Sequence, residues 1–333
     1  MILVTGGSGF LGGAIVRRLV AGGEAVRCLQ RHDSPALRQL GVDVVCADLS
    51  DRDALVRAAA GCDAVFHVAA KTGVWGRYVD FYKPNVLGTR NVLEAIAANG
   101  IRRLVYTSTP SVIHTGGDVE GIDESTPLAT HFETAYPATK AEAECLVLAA
   151  NGPQLATVAL RPHLIWGPDD PQLTARVLAR GRKGRLLLVG RGLKRIDSVY
   201  IDNAVDAHLL AFNQLVPGAA CAGKAYFITQ GEPIPQRDLI NGILRAGNLP
   251  PCTRSISPHT AYLLGWLMEL AWSTLRRQDE PVMTRFLAKQ LATAHWYDIS
   301  AARRDLGYEP LVSVAQGLQR LQHSLQQGSA SRA

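Results

Sequence analysis

A tyrosine and a lysine four residues apart, in Tyr136-Pro-Ala-Thr-Lys140, can do proton chemistry if a helix carries them. Positions i and i+4 share one helix face, and an ammonium beside a phenol favours the phenolate, so the pair is a candidate acid–base couple. Hydroxyls suited to holding a carbonyl oxygen come from Ser108, Thr109 and Ser111, which follow the apolar run ending Val105-Tyr106-Thr107. Taken alone, that cluster also reads as ordinary turn chemistry.

A place for a dinucleotide comes earlier. The first apolar run empties into Thr5-Gly6-Gly7-Ser8-Gly9-Phe10-Leu11-Gly12, a G-x-x-G-x-x-G pattern at the mouth of a helix. Gly6 permits a tight turn, Gly9 lets a pyrophosphate approach backbone N–H groups around Phe10 and Leu11, and Gly12 lets helix and strand pack closely. The plainer alternative is a glycine-rich strand–helix turn. After the second strand, Gln30 stands where an NAD site carries its acid, and Arg31 follows. A 2'-phosphate would find a cation there, so the sequence favours NADP(H) over NAD(H), unless Arg31 is merely a solvated loop residue. Asp48, before Leu49, is a candidate for the adenine amino group or else a helix N-cap. Ala69, Ala70 and Lys71 put small residues where a cofactor must pass close to backbone.

The elements that must position these residues are legible as alternation. Short β-branched runs at 1–5, 25–30, 42–46, 63–67 and 102–107 alternate with helical stretches, the mark of βαβ units around a parallel sheet. A helix starting near Glu133 and a strand at 155–160 complete a doubly wound α/β (Rossmann) domain over 1–165. Beyond it the rhythm changes: glycine and arginine crowd 180–195, a helix covers about 202–215, and an apolar strand appears at 225–229. We read 166–325 as a smaller, mixed substrate lobe with some segments returning to the first domain, and the polar 326–333 as a frayed, flexible tail.

Composition bounds the rest. The chain has 333 residues, 47% hydrophobic and 19% charged, which suits a globular protein with a large core and excludes bulk disorder. A net charge of +6, from 35 basic against 29 acidic residues, suits acidic small molecules; no aromatic–basic platform points to nucleic acid. Six cysteines form no C-x-x-C pair and no zinc spacing, so no metal is expected and a reduced cytoplasmic protein is the simplest reading. Met1 leads directly into the first strand, so no secretory leader is expected. The apolar stretch 261–272 carries Glu269 and falls short of the ~20 residues of a spanning helix.

These motifs resemble the extended short-chain dehydrogenase/reductase superfamily and, within it, the 3β-hydroxysteroid dehydrogenase-like branch. The likeness spans nearly the whole chain: the glycine motif, Asp48, Ala69-Ala70, Asn85-Val-Leu-Gly88-Thr89, Tyr106 to Thr109, Tyr136 to Lys140, Leu160-Arg-Pro162, Trp166-Gly-Pro168, and Asp197 through Asp202-Asn203-Ala204. It implies that Tyr136 donates the proton, and that Lys140 binds the nicotinamide ribose and lowers the tyrosine pKa. Thr109 takes the usual serine's place, with Ser108 able to substitute, and Pro162 and Ile165 border the nicotinamide.

The segments 106–112, 155–162 and 219–227 resemble the ketoreductases of bacterial long-chain olefin biosynthesis. That implies NADPH-dependent reduction of a long-chain 2-alkyl-3-oxo (β-keto) fatty acid to the β-hydroxy acid. It also implies a homodimer and assembly with a β-lactone synthetase and a β-lactone decarboxylase. The alternatives are a steroid or sterol 3β-dehydrogenase, a nucleotide-sugar epimerase, and a non-catalytic NADP redox sensor.

Two lobe features bear on substrate. Eight cationic side chains between Arg176 and Arg195 are candidates for a substrate carboxylate, although a solvated face is the commoner meaning of such a run. The apolar helix 261–272, with Trp266, Met268 and Trp272, is a candidate wall for an alkyl chain or a contact for a membrane surface or partner; burial within its own lobe is the simpler expectation.

Overall fold

The computed structural model describes residues 1–330. Its first half is built on five parallel strands: β1 (Ile2–Thr5), β2 (Val26–Gln30), β3 (Asp43–Cys46), β4 (Ala64–His67) and β5 (Arg103–Thr107). After β6 (Val119–Ile122), β7 (Ala156–Pro162) adds beside β5, and the strand Lys224–Ile228 closes the edge. The spatial order, from that edge strand, is Lys224–Ile228, β7, β5, β4, β1, β2, β3, so the chain reverses direction across the sheet between β1 and β4.

Strand period explains why this sheet is sealed on both faces. Ile2, Val4, Cys28, Phe66, Val105 and Val158 pack into one apolar layer, while Leu3, Leu29, Val65, Leu104 and Ala159 point into the other. The helix Phe10–Ala21 covers the first layer through Leu11, Ile15 and Leu19. The helices Arg52–Ala59, Gly88–Ala98 and Ala135–Ala149 cover the second through Leu55, Val92, Ile96 and Val147. Register keeps the strand ends level, since Thr5 pairs with Leu29 and His67, and His67 with Tyr106. Loops leaving these ends therefore meet along one edge, at the switch point where open α/β sheets bind ligands.

The lobe uses short pairings. Ile234–Pro235, Arg195–Ile196, His295–Tyr297 and β6 form a mixed four-stranded sheet, and two further pairs join Ile165–Trp166 to Val199–Tyr200 and Leu188–Val189 to Ser255–Ile256. Thus β6, within 1–165, belongs to the lobe's sheet, and Lys224–Ile228, within 166–325, belongs to the large one.

Two expectations need correction. The last helix runs Val314–Ala330, so residues 326–330 of the expected tail are helical, and 331–333 lie outside the described residues. The helix Pro258–Thr274 does not bury its apolar residues: Leu263, Trp266, Leu267 and Leu270 are all about half exposed, and only Ala261 and Gly265 are buried. Its inner face packs on the helix Arg285–Ala292 through small residues, because a Cβ at Gly265 would stand 2.5 Å from the Thr284 carbonyl carbon. No helix among the described residues is long and apolar enough to cross a membrane.

Candidate active site

At the end of β1 the backbone turns through Gly6 at φ +74°, where a Cβ would come within 2.9 Å of Ala69 Cα. A Cβ on Gly12 would sit 2.2 Å from the Gly6 carbonyl oxygen, so the helix starts as close to the strand as backbone allows. Gly9 is the N-cap and brings no side-chain oxygen, which leaves the first-turn amides of Phe10 and Leu11 available to an anion at the positive helix end. This cradle fits a dinucleotide pyrophosphate. Behind it, the buried His67 hydrogen-bonds Thr5 Oγ1 at 2.8 Å and Thr89 Oγ1 at 3.0 Å, and the Ala69 amide donates to Thr5 Oγ1 at 3.2 Å. Burial, helped by the Lys140 charge, pushes the His67 imidazole down to about 3, so it stays neutral and structural.

Arg31 and Asp48 emerge exposed from the ends of β2 and β3, near enough that the Arg31 charge helps hold the Asp48 carboxyl below its ordinary range. The larger causes are its hydrogen bonds from the Ser50 hydroxyl at 2.7 Å and amide at 2.8 Å. Asp48 is therefore not the helix N-cap; Asp51 is, accepting from the Ala54 amide at 3.0 Å. Leu49 beside it is buried and accepts a hydrogen bond from Asn91 at 2.8 Å. Ala69 and Ala70 are partly exposed on the sheet edge; Lys71 leans over the Phe81 ring at 5.0 Å.

Tyr136 and Lys140 sit on the helix Ala135–Ala149, on the face turned to the end of β5. The Thr109 hydroxyl accepts from the Ser111 amide and donates to Ser111 Oγ, both at 3.2 Å. Ser108 instead has a buried hydroxyl with no protein partner, so the geometry separates the two hydroxyls. Burial pushes the Tyr136 phenol up to about 12, opposed by the neighbouring Thr109 hydroxyl. Lys140 is 2% exposed; its ammonium donates to the Thr107 carbonyl at 2.7 Å and lies 4.2 Å from the Tyr106 ring centre. Burial brings it down to about 7, opposed by the Glu144 charge. Lys140 thus bonds the β5 backbone, and the Tyr136 phenol lies above its ordinary value. Pro162 ends β7 buried, and Ile165 follows, partly exposed, at the same sheet edge.

Three side chains, Glu144, Arg161 and Asn85, have structural roles that the motifs did not assign. Glu144, one turn after Lys140, takes Arg161 Nε at 3.0 Å and its Nη2, in a pair with side chains 1% and 5% exposed. Asn85 lies in a π-helical turn, Lys83–Leu87; its side chain takes the Lys71 amide at 2.8 Å and gives to Lys71 O and Thr139 Oγ1, both at 3.0 Å. It thereby ties the loop after β4 to the Tyr136 helix. The readable signals were spacing, Lys140 to Glu144, and an asparagine ahead of Gly88, but neither names its partner.

Beside Ala135 a cleft of about 610 Å³ opens between the loop after β4 and the two lobe helices. Its walls are aromatic: Trp75, Tyr78, Phe81, Phe132, Tyr262 and Phe286. Two ion pairs line it, Lys289 with Glu133 and Arg285 with Glu269. The basic run 176–195 does not enter: Arg176 pairs with Glu280 at 2.8 Å, Lys194 with Asp118 at 2.5 Å, and Arg195 donates to Pro233 O at 2.7 Å. Among the described residues no group of His, Cys, Asp and Glu is placed to hold a metal.

A parallel sheet that reverses at a glycine turn, with a phenol and a lysine beside its edge, is the architecture of the Rossmann-fold oxidoreductases that work with a nicotinamide cofactor. The chain belongs to the 3-beta hydroxysteroid dehydrogenase/isomerase family, whose model matches residues 3–252. It is 54% identical over 325 residues to a 2-alkyl-3-oxoalkanoate reductase of Stenotrophomonas maltophilia, covering 97% of this chain and 98% of that protein. To the protein of the same name from Shewanella oneidensis it is 49% identical over 330 residues, covering 97% and 85%. Among solved structures, a UDP-glucuronic acid 4-epimerase from Bacillus cereus in complex with NAD superposes with a TM-score of 0.73 at 22% identity, over 98% of both chains. That likeness is one of fold.

Proposed function

We propose that the protein is an NADPH-dependent ketoreductase that converts a long-chain 2-alkyl-3-oxoalkanoic acid into the 2-alkyl-3-hydroxy acid, a cytoplasmic step of olefin biosynthesis. The observation that carries the reading is the full-length likeness to two proteins bearing the reductase name, joined to a cleft lined by aromatic side chains and by Ala135, the residue before Tyr136. The bound nicotinamide supplies a hydride. Gly6, Gly9 and Gly12, with the amides of Phe10 and Leu11, would hold its pyrophosphate; Arg31 would meet the 2'-phosphate, Lys140 the ribose, and Pro162 and Ile165 the nicotinamide. Ala69 and Ala70 would leave room for the cofactor to pass close to backbone, and Asp48 would meet the adenine amino group.

Thr109 orients the substrate oxygen and Tyr136 gives it a proton. A phenol pushed up to about 12 stays protonated through the neutral range, which suits the reducing direction. The aromatic walls suit alkyl chains, and six unpaired cysteines suit a reducing compartment.

The test follows nicotinamide absorbance while the protein oxidises a synthetic long-chain 2-alkyl-3-hydroxy acid with NADP+ or NAD+, beside a 3β-hydroxysteroid. Turnover of the hydroxy acid with preference for NADP+ is the expected result. Turnover of the steroid alone would replace the substrate assignment while leaving the site intact.

A further inference from the structure

The proposed substrate carries a carboxylate one carbon away from the carbonyl that is reduced, so whatever binds the carboxylate must stand close to Tyr136. Lys289 does. It projects from the helix Arg285–Ala292 into the cleft and pairs with Glu133, three residues before Tyr136. The pair lies over the loop after β5: a Cβ on Gly116 would be 3.6 Å from Glu133 Oε1 and 3.9 Å from Lys289 Nζ. An ammonium has three N–H donors, so bonding to Glu133 leaves donors free for a second carboxylate.

A second observation comes from the same loop, two residues before Gly116. His114, at the end of the short helix that begins after Thr109, is 9% exposed, yet neither ring nitrogen has a hydrogen-bond partner. Its ring stands edge-on to His295 at 4.7 Å. Its proton affinity is lowered by burial, with Glu133 raising it and Lys289 lowering it, so the imidazole is neutral and within electrostatic reach of the ion pair. A neutral imidazole offers one N–H, and a buried donor without a partner is costly enough to need an occupant. The other cation of the cleft, Arg285, is held twice by Glu269, which takes its backbone amide at 2.7 Å and its Nε at 2.6 Å, whereas Lys289 makes one such bond, to Glu133.

We propose that Lys289, with His114 as a neighbouring donor, binds the substrate carboxylate and makes the protein selective for the free acid. The inference rests on the reductase reading above. Glu133 holds the ammonium in place between turnovers and shares it when the acid arrives.

The test compares kcat/KM for a long-chain 2-alkyl-3-hydroxy acid and for its methyl ester, in the wild type and in Lys289→Met and Lys289→Arg. The wild type should prefer the acid, and Lys289→Met should cut the acid-to-ester ratio by roughly tenfold or more, chiefly through KM, as losing a charge-assisted bond implies. Lys289→Arg should restore much of the ratio. Equal turnover of acid and ester by the wild type, or an unchanged ratio in Lys289→Met, would overturn the carboxylate assignment and spare the reductase reading. If the wild type turned over neither compound, both would fall together.

Discussion

The sheet edge and the lobe side of the cleft are held by different means. The sheet wall is fixed by close backbone approach and buried charge, with the Gly12 helix on the Gly6 carbonyl, the Lys140 ammonium on the Thr107 carbonyl, and a buried Glu144–Arg161 pair behind. The lobe-side wall presents Tyr262, Phe286, Arg285 and Lys289 from two helices, the first of which has an apolar outer face, and both cations are paired with carboxylates. Chemistry common to a whole family calls for fixed distances, whereas substrate fit calls for surfaces that can be resized without disturbing those distances. The contrast predicts graded sensitivity, steepest at the sheet wall.

Replacing Tyr136 by Phe should leave the fold intact and cost about a thousandfold in kcat, the scale of a lost general acid, read from nicotinamide absorbance. A loss below tenfold would move the proton donor elsewhere. Next, Glu144→Ala removes the buried partner of the Arg161 guanidinium, whose Nη1 already lacks one. Denaturant unfolding should show a loss of about 3 kcal/mol or more, the cost of breaking a buried pair from one side.

Lys140 then sharpens the comparison through pH. Its folded value of about 7 lies below the ordinary 10.5, so between these values the unfolded chain binds the extra proton. The penalty is full below about pH 7, and stability rises with pH across the window. The melting temperature of the wild type relative to Lys140→Met should therefore climb by several degrees between about pH 6.5 and about pH 9.5. A flat difference would mean that water already reaches the ammonium.

Arg31→Ser should reduce the preference for NADP+ over NAD+ by about tenfold, since one exposed charge-assisted bond is at stake. Least affected should be Leu270→Ser on the outer wall. The residue is 51% exposed, and stability should move by no more than about 0.5 kcal/mol, while dispersity by light scattering improves.

Legibility in the sequence follows the same division. Strands expected at 1–5, 25–30, 42–46, 63–67 and 102–107 stand at Ile2–Thr5, Val26–Gln30, Asp43–Cys46, Ala64–His67 and Arg103–Thr107. Strands buried on both faces must be continuous apolar runs, and those are visible. The lobe's two-residue pairings carry no such period, so Arg195–Ile196 and Ile234–Pro235 were unreadable. Tyr136 and Lys140 were found because a helix links them. Glu144 with Arg161, and Lys289 with Glu133, join residues 17 and 156 positions apart, which no local pattern records. The helix Pro258–Thr274 misled for the opposite reason: its apolar residues run round most of its circumference, and nothing in such a pattern says which side meets water.

The large sheet is completed out of turn. β7 ends at Pro162, but the strand that covers it starts at Lys224, after the chain has threaded through much of the lobe. During synthesis β7 must wait for that stretch to leave the ribosome, a delay of several seconds at roughly 5–20 residues per second. For that interval a strand of seven residues, all buried in the finished protein, has an open edge. The nascent chain thus passes through a stage at which chaperone binding and self-association compete for the same row of amides.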